Sequence, residues 1–389
     1  MKRLRKDVAH VMDAAISRGE TPCALALLWR HDGEKLYHAS GYADLGRNVP
    51  VARDTLFRLF SLTKPITAVT AMTLVERGEL DLYAPVGEYL ESYKNQQVAV
   101  ADNRCAPVTR PMLVADLFSM TSGLCYPGDA TPAERAMSRL FEAFAAEEQA
   151  GNQPDTLSVA SRIGRQPLAF QPGDGWLYGA SADVLGALVQ VVSGKALDAY
   201  MAETVLEPLG MTDTGFFVPA EKKDRLATLY EHRDGMLSPF TDNFLGLNDF
   251  LSRPNFISGG AGLVSTLDDV LRFARMLLGE GQLCGERVLS RRSVQWLSQN
   301  HLSPRQADTL NRDSMAGYGY GGLMRVLAEP AHSFSLGVAG EYGWDGWSGV
   351  YMTVCPEEDL ILLLMQQRTE SGVTPLTRKV RNIVYSQLG

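Results

Sequence analysis

The chain has 389 residues, a formal net charge of -8 and 45% hydrophobic residues. This length exceeds one average domain, so we expect either two domains or one domain with a large insertion. The composition is typical of a globular protein rather than of a disordered chain or a coiled coil. The acidic balance gives no electrostatic basis for binding DNA or RNA, so nucleic acid is not an expected partner.

The N-terminal segment MKRLRKDVAHVMDAAISRG places Val8, Val11, Met12 and Ala15 at helical spacing, which predicts an amphipathic surface helix rather than a membrane anchor. Polar residues interrupt the segment, so it lacks the apolar run of a secretory signal. The longest apolar run of the chain, LILLLM over 360–365, is too short to span a bilayer. The five cysteines are scattered, as is typical of a reducing compartment. We therefore expect a cytoplasmic protein with no membrane partner.

Predicted strands cluster at the two ends of the chain. CALALLWR and EKLYHASGYA are predicted to form a hairpin through a tight turn at Asp32-Gly33. Near the other end, YGYGGLMRVL, SFSLGVAG, GVYMTVC and DLILLLMQQ are predicted strands, followed by a helix over TPLTRKVRNIVYSQLG. The segments between are mostly helical, including VADLFSM, PAERAMSRLFEAFAAEEQA and SADVLGALVQVVSG. The predicted fold is α/β (α+β): an antiparallel sheet from both chain ends, flanked by helices, with a mostly helical inserted domain.

The predicted domain boundaries are approximate. Residues 1–84 and 212–389 are assigned to the sheet domain, and residues 85–211 to the inserted helical domain. Clefts between such units are common places for ligand sites. The active site is therefore expected in the cleft between the two parts.

A serine and a lysine lie three residues apart in SLTKP, where a helix is predicted to begin. Pro65 fits only a first helical turn, because it lacks an N–H and its ring clashes with the carbonyl four residues back. Gly78 suits the position just after the helix. Ser61 by itself is also compatible with a simple N-cap. Lys64, one turn along the same face, can act as the base that activates Ser61, provided that burial or nearby positive charge keeps it neutral.

Other catalytic motifs are incomplete. GWSGV over 346–350 lacks the final glycine of a GxSxG elbow, and no GxxxxGKS phosphate loop occurs. The six histidines form neither HExxH nor another metal-ligand spacing, so no metal is expected.

Several longer stretches share the pattern of one known family. They are TLFRLFSLTKPITAVTAMTLVERGELDLYAPV, ADLFSMTSGL, FQPGDGWLYGASADVLGALVQVVSG, LEPLGMTDTGF and SGGAGLVSTLDDVLRFARMLL, which cover most of residues 51–280. Together they resemble the class C β-lactamase-like serine hydrolases, a group that also holds family VIII carboxylesterases and DD-peptidase-type penicillin-binding proteins. The C-terminal strands extend the resemblance to about residue 366. The resemblance implies a β-lactamase/DD-peptidase-like fold, an acyl-enzyme and no cofactor.

The resemblance also implies a catalytic trio. Ser61 and Lys64 match the SxxK nucleophile and its base. Tyr178, in WLYGAS, matches the tyrosine of the YxN or YxS motif, whose hydroxyl relays protons as general base or acid. Because tyrosine has a reference pKa near 10, this role needs a neighbouring ammonium to stabilise a phenolate.

The third motif of the family corresponds here to Trp344-Asp345-Gly346, where β-lactamases have KTG and many family VIII esterases have WGG. The resemblance implies that an edge strand supplies the backbone N–H of Trp347, which joins the N–H of Ser61 in an oxyanion hole. An aromatic-rich hairpin in the core is the structural alternative for this segment.

Three positions depart from the lactamase or esterase patterns. Ala180 replaces an asparagine that helps to hold the substrate amide, and Trp344 replaces the lysine that attracts a β-lactam carboxylate. Asp345 stands where the esterase pattern has glycine and would repel anionic substrates if it faced the site. Together with Gly346 and Tyr126, these residues are the candidate substrate-binding positions.

The resulting prediction is a serine hydrolase, most simply a carboxylesterase acting on small or short-chain esters. A β-lactamase or D-amino-acid amidase or peptidase on the same machinery is one alternative, and an acyltransferase is another. A non-catalytic binding protein that retains the scaffold is the alternative from a different class. The expected partner is a small-molecule ester or amide, and the oligomeric state stays open.

Overall fold

The computed structural model of the protein describes residues 2–31, 33–102, 104–310 and 313–388. The helices are α1 (Lys2–Ser17), α2 (Thr63–Glu76), α3 (Val114–Phe118), α4 (Pro132–Gln149), α5 (Thr156–Gly164), α6 (Ser181–Ser193), α7 (Leu197–Met201), α8 (Leu267–Leu278), α9 (Arg291–Leu297), α10 (Pro304–Ala307) and α11 (Pro375–Tyr385).

The strands are β1 (Cys23–Arg30), β2 (Gly33–Asp44), β3 (Val49–Pro50), β4 (Phe57–Arg58), β5 (Gln97–Ala101), β6 (Arg104–Pro107), β7 (Tyr230–Arg233), β8 (Met236–Pro239), β9 (Val264–Ser265), β10 (Gln282–Leu283), β11 (Glu286–Arg287), β12 (Tyr318–Tyr320), β13 (Arg325–Leu327), β14 (Tyr342–Asp345), β15 (Tyr351–Cys355) and β16 (Leu360–Met365).

One large antiparallel sheet joins the two ends of the chain. Its strand order is β12-β13-β14-β15-β16-β1-β2-β3, and β1 pairs with β16 in a register that sets Leu25 opposite Met365. The prediction of a sheet built from both chain ends is therefore confirmed. The hairpin of β1 and β2 is also present, although Asp32 of its predicted turn lies outside the described residues.

The two faces of the sheet bury different helices, because successive side chains of a strand point to opposite faces. Ala24, Ala26 and Leu28 of β1 pack in a core with α1 and α11. Leu25 and Leu27 of the same strand belong to the larger core on the opposite face, together with buried residues of α2, α6 and α8. The predicted amphipathic helix at the N-terminus is α1, which buries Leu4, Val8, Met12 and Ala15.

One predicted strand is wrong. SFSLGVAG forms no strand, and Phe334 and Leu336 are 69% and 50% exposed. This segment instead lies beside α11, where the guanidinium of Arg381 donates to the carbonyl of Leu336 at 2.8 Å and to the hydroxyl of Ser335 at 3.1 Å. The alternation of apolar residues predicted a strand, but the Leu336 carbonyl bonds the Arg381 guanidinium instead of a neighbouring strand.

Residues 85–211 carry α3 to α7 and a small hairpin of β5 and β6. The domain boundaries given above stay a prediction. Among the described helices, none is long and apolar enough to cross a membrane alone. Helix α6 and the following helical segment Leu197–Leu206 together have the length and composition of a span, but they are bent by 82° relative to each other.

Candidate active site

Ser61 lies in a short 3₁₀ turn, Phe60–Leu62, that leads directly into α2. Pro65 is in the first turn of α2, as its chemistry requires. The helix ends as the sequence predicts: Gly78 has a φ of +71°, and the Glu79 N–H bonds the Leu74 carbonyl at 3.0 Å. The N-cap residue of α2 is Leu62, with no side-chain cap. The interpretation of Ser61 as an ordinary N-cap is therefore wrong.

The residue before Ser61 has an unusual backbone conformation. Phe60 has a φ of +43°, a left-handed value that a bulky side chain rarely adopts. Its ring packs edge-to-face against Trp347 with centroids 5.3 Å apart. Strained residues of this kind cluster at functional sites, where surrounding contacts hold them. Sequence reasoning missed Phe60, because no local pattern marks a phenylalanine with positive φ.

Lys64 is fully buried beneath Ser61. Its Nζ lies 3.1 Å from the Ser61 Oγ and donates to the Gly260 carbonyl at 2.8 Å. The same Nζ lies 4.7 Å from the ring centroid of Tyr178 and 5.6 Å from that of Tyr126. A single cation therefore contacts the candidate nucleophile and two phenol groups.

The surroundings of Lys64 favour its charged form. Burial lowers the pKa of this ammonium, but the oxygens of Tyr126 and Tyr178 and the Asp183 carboxylate raise it by more, so the net pKa is above the usual value. The requirement that Lys64 be neutral is thus not met in the resting protein. A charged Lys64 instead supplies the neighbouring ammonium that Tyr178 needs for its predicted role as a proton relay.

Trp344 and Tyr178 are in direct contact. The Trp344 Nε1–H donates to the Tyr178 hydroxyl at 3.2 Å, and the two rings lie 5.4 Å apart. Tyr126 packs edge-to-face on Tyr178 with a centroid distance of 5.7 Å. The indole at position 344 therefore orients the phenol, whereas sequence reasoning considered it only as a replacement for a lysine that binds substrate.

Asp183 is a buried carboxylate close to Lys64 that sequence reasoning missed. It lies in the first turn of α6 and accepts hydrogen bonds from the Ser258 hydroxyl at 2.6 Å and the Gly260 N–H at 3.0 Å. Burial raises its pKa above the ordinary aspartate value. Because the Gly260 N–H donates to Asp183 and the Gly260 carbonyl accepts from Lys64, Asp183 positions the lysine through one intervening residue.

The glycines of SGGAG let this segment approach α2 and α6 closely. A Cβ on Gly260 would lie 2.7 Å from the Asp183 Oδ2, and one on Gly259 would lie 2.6 Å from the Ala182 carbonyl oxygen. Thr67 of α2 donates to the Gly259 carbonyl at 2.7 Å. The Gly-Gly pair in the sequence indicated a close backbone approach, but it did not identify α2 and α6 as the elements approached.

The turn that contains Trp347 packs against the segment just before Ser61. Ser348 donates its hydroxyl to the Arg58 carbonyl at 2.8 Å, and a Cβ on Gly346 would lie 2.1 Å from the Leu59 carbonyl oxygen. Trp347 is therefore next to the Ser61 turn, as an oxyanion hole requires. The expectation of an edge strand is wrong, because β14 lies between β13 and β15 and Trp347 follows it in a turn.

Two candidate substrate-binding residues are not brought to this site. Asp345 lies on the opposite face of the sheet, where its carboxylate pairs with the buried guanidinium of Arg325. Ala180 is fully buried before α6. Gly346 contributes close backbone packing rather than a side chain.

A cavity of about 280 Å³, here called the Ser61 cavity, opens at the candidate nucleophile Ser61. Ser61, Tyr126, Tyr178, Asp183 and Trp347 line its polar end. Its remaining wall is mostly apolar and consists of Phe60, Phe141, Val159, Ile163, Phe244, Leu245, Leu247, Phe256, Ser258 and Ala261. The described residues contain no group of His, Cys, Asp and Glu suited to hold a metal ion. The cavity thus presents the Ser61 hydroxyl, two phenols, the Asp183 carboxyl group and a mostly apolar surface.

Comparison with known proteins gives the family. A model of the beta-lactamase family matches residues 4–384. Esterase EstB of Burkholderia gladioli is 32% identical, over 97% of this chain and 94% of that protein. Protein Rv1367c of Mycobacterium tuberculosis (strain H37Rv) is 35% identical, over 92% of this chain and 88% of that protein. The structure of EstCE1, a hydrolase with promiscuous acyltransferase activity, superposes with a TM-score of 0.84 at 25% identity, covering 99% of each chain.

The chain belongs to the beta-lactamase family, with the mixed α/β fold of its β-lactamase-like and penicillin-binding-protein-like members. The relatives of the chain in this serine hydrolase family include esterases and acyltransferases. The predicted resemblance and fold class are confirmed.

Proposed function

We propose that this protein is a serine carboxylesterase that forms an acyl-enzyme on Ser61 and acts on small or short-chain esters. The observation that carries the proposal is the contact of one buried ammonium, that of Lys64, with the Ser61 Oγ at 3.1 Å while it lies beside the Tyr178 phenol. This arrangement brings together a nucleophile, a proton acceptor and a fixed positive charge, with Ser61 and Lys64 at the start of α2 and Tyr178 in the segment before α6.

In the first half-reaction, Tyr178 acts as the general base. The Lys64 ammonium stabilises the Tyr178 phenolate, which takes the proton of the Ser61 hydroxyl as Oγ attacks the ester carbonyl carbon. The backbone N–H groups of Ser61 and Trp347 hold the oxyanion of the tetrahedral intermediate. Tyr178 then gives its proton to the leaving alcohol, and the C–O bond to that alcohol breaks.

In the second half-reaction, water replaces the alcohol. Tyr178 takes a proton from this water, the resulting hydroxide attacks the acyl carbon, and the acid leaves as Ser61 regains its proton. Trp344 holds the Tyr178 hydroxyl in place for both proton transfers through its Nε1–H. Lys64 remains protonated throughout and supplies positive charge rather than a proton.

The lining of the Ser61 cavity supports an ester over a β-lactam. Trp344, where β-lactamases have lysine, is buried, and the described residues that line the cavity include no arginine, histidine or lysine. Lys64 lies behind Ser61 and does not line the cavity, so a β-lactam carboxylate would lose its water without a cation on the cavity wall, and it would share the cavity with Asp183, which is costly. A neutral ester meets no such penalty, and a volume of about 280 Å³ suits a small acyl or alcohol group.

The test is a p-nitrophenyl ester series from acetate to octanoate, with intact-mass detection of a trapped acyl group. We expect the wild type to release p-nitrophenol in a burst and to gain the mass of one acyl group, with activity falling at the longer chains. Ser61→Ala should show neither burst nor adduct, whereas Ser193→Ala, at the far end of α6, should match the wild type. Undiminished hydrolysis by Ser61→Ala would exclude the mechanism.

Acyl transfer is a second candidate function. The observation that favours it is the likeness to EstCE1, a hydrolase with promiscuous acyltransferase activity, together with an apolar cavity wall that favours alcohol over water. Adding a short alcohol to the p-nitrophenyl ester reaction tests it. A new ester that forms faster than the acid assigns transfer as the main activity, and acid alone assigns hydrolysis.

A further inference from the structure

Two stacked rings form part of the apolar wall of the Ser61 cavity. Phe141 and Phe244 both line the cavity, their ring centroids lie 5.4 Å apart, and their ring planes differ by 17°. Phe141 belongs to α4, whereas Phe244 belongs to the segment 240–249, which we call the wall loop. Stacked aromatic pairs are more favourable than the area that they bury would give alone. The two rings therefore form one continuous surface, contributed by two separate parts of the chain.

The wall loop is anchored at two points by charged side chains. The Leu245 N–H donates to the Glu148 carboxylate, at the end of α4, at 2.8 Å. The Asn248 carbonyl accepts from the Arg58 guanidinium, through Nε at 2.9 Å and Nη2 at 2.8 Å. Arg58 is buried and lies three residues before Ser61. The wall loop is thus bonded both to the helix that carries the other stacked ring and to the segment that leads into the candidate nucleophile.

Hydrogen bonds within the wall loop fix its shape as well. The Asn243 Oδ1 accepts from the backbone N–H groups of Asn248 at 2.9 Å and Asp249 at 2.8 Å. The Asn248 Nδ2 donates to the carbonyls of Phe240 at 3.1 Å and Asp242 at 3.0 Å. Displacing the loop would break several of these bonds together, which costs free energy. The ring that the loop carries is therefore held in place on the cavity wall.

The mechanism proposed above leaves one direction for the acyl chain. In the tetrahedral intermediate, the reacting carbon bonds the Ser61 Oγ, an oxyanion held by the N–H groups of Ser61 and Trp347, and a leaving oxygen beside Tyr178. The acyl chain is the fourth substituent. The cavity lining that remains is mostly apolar and includes both stacked rings. Each methylene buried against this lining is favourable, until the chain reaches the rings and has no further space.

We propose that the stack of Phe141 and Phe244 sets the length limit of the acyl chain, so that the substrates are esters of short aliphatic acids. The inference rests on the proposed function, because it places the acyl chain of the Ser61 acyl-enzyme against these rings. A longer chain would have to break charge-assisted hydrogen bonds of Arg58 or Glu148 to displace Phe244. Truncating either ring leaves space that a longer chain can fill.

The acyl-length profile of the protein tests the proposal. It is measured as kcat/KM over p-nitrophenyl esters from acetate to octanoate, for the wild type, Phe141→Ala and Phe244→Ala. We expect the chain with the highest kcat/KM to lengthen by at least about two methylenes in each variant. The ratio of kcat/KM for octanoate to that for acetate should rise at least about tenfold. This ratio does not depend on the folded fraction, so a destabilised variant still gives a result.

Phe144→Ala is the matched control. Phe144 lies three residues after Phe141 on α4, and the two rings pack edge-to-face with centroids 5.6 Å apart. Phe144 is buried but does not line the Ser61 cavity. Its truncation removes the same side chain from the same helix without opening the cavity wall, so this variant should keep the wild-type length profile.

A second ester series tests which half of the substrate meets the rings. It consists of acetates of primary alcohols from ethanol to octanol, so that only the alcohol part changes in length. In Phe244→Ala, the ratio of kcat/KM for octyl acetate to that for ethyl acetate should change less than about twofold. A length shift in this series in place of the acyl series would overturn the assignment of the rings to the acyl chain.

Intact-mass detection of the acylated serine separates failure of this proposal from failure of the proposed function. If the ring variants acylate Ser61 with the wild-type length profile, or if Phe144→Ala changes the profile as much as they do, the stack does not set the limit and the proposed function stands. If no protein forms an acyl group on Ser61, both are overturned. A profile that lengthens in Phe141→Ala and Phe244→Ala alone supports the proposal.

Discussion

The two faces of the sheet each hold a buried cation, but the cations are bound differently. On the Ser61 side, the Lys64 ammonium donates to a carbonyl and contacts a hydroxyl, while the nearby Asp183 carboxylate is bonded to Ser258 and Gly260 instead. On the other side, the Arg381 guanidinium bonds directly to the Glu341 carboxylate at 2.6 Å.

This difference suggests different roles for the two cations: the Arg381 guanidinium stabilises the fold, whereas the Lys64 ammonium is available for chemistry. A directly paired buried cation is neutralised, and removing one partner leaves the other charge uncompensated. A cation held by hydroxyl and carbonyl groups keeps most of its field for a group whose charge changes during reaction. Substitutions on the Ser61 side should therefore change activity more than stability. Substitutions of Arg381 or Glu341, on the opposite face of the sheet, should change stability more than activity.

The largest effect is expected for Lys64→Met. Methionine fills a similar volume without charge, so the Tyr178 phenolate loses its stabilising cation and Ser61 loses a contact. The kcat for p-nitrophenyl acetate should fall on the order of 10³–10⁴-fold. Urea unfolding checks that the variant remains folded. A loss of activity below tenfold in a folded variant would contradict the role given to Lys64.

Arg381→Met, on the opposite face of the sheet, should lower stability and leave activity nearly unchanged. It leaves the buried Glu341 carboxylate without its guanidinium, which should lower the free energy of unfolding by about 3–5 kcal/mol. Urea unfolding measures this loss, and the kcat of the folded fraction should stay within about threefold of the wild type.

A double variant distinguishes the loss of charge pairing from the loss of packing. Arg381→Met with Glu341→Gln removes both charges, so it should be less destabilised than the sum of the two single variants. Strict additivity would mean that packing of the arginine, and not its charge, stabilises this face.

Tyr178→Phe and Tyr126→Phe compare two phenols beside the same ammonium. Because only Tyr178 is held by the Trp344 indole N–H, its removal should lower kcat by about 10²–10³-fold. Tyr126→Phe should lower kcat less than about tenfold, with the main change in KM, because Tyr126 lines the cavity. Steady-state kinetics with p-nitrophenyl acetate distinguish the two. Equal losses in kcat would assign the proton relay to the pair rather than to Tyr178.

The sequence predicted what short-range chemistry determines. Pro65 and Gly78 determine the two ends of α2. The apolar spacing of the terminal strands and of α1 predicted the sheet and the N-terminal helix that packs on it. The adjacency of Trp344 and Asp345 on one strand already implied that they point to opposite faces, so the position of Asp345 was available from the alternation rule.

Other features depend on contacts between distant parts of the chain. Asp183 in SADVLG looks like an ordinary acidic residue in the first turn of a helix, and only folding brings Gly260 to it. The Leu336 segment has strand-like alternation, but Arg381, 45 residues later, takes its carbonyl group. The net charge state of Lys64 likewise depends on three groups that lie far from it in sequence.

The smallest effect is expected for Asp183→Asn, and it is a shift in pH dependence rather than a loss of rate. The Asp183 carboxylate raises the pKa of Lys64, so its removal lowers that pKa. The mechanism needs the Lys64 ammonium, and activity is therefore lost as pH rises through the Lys64 pKa. The alkaline limb of kcat should move to lower pH. Asparagine keeps an oxygen that accepts from Ser258 and Gly260, so the position of Lys64 should be retained. An alkaline limb that stays in place, or that moves to higher pH, would mean that the Asp183 charge does not act on Lys64 and that the residue only holds Gly260.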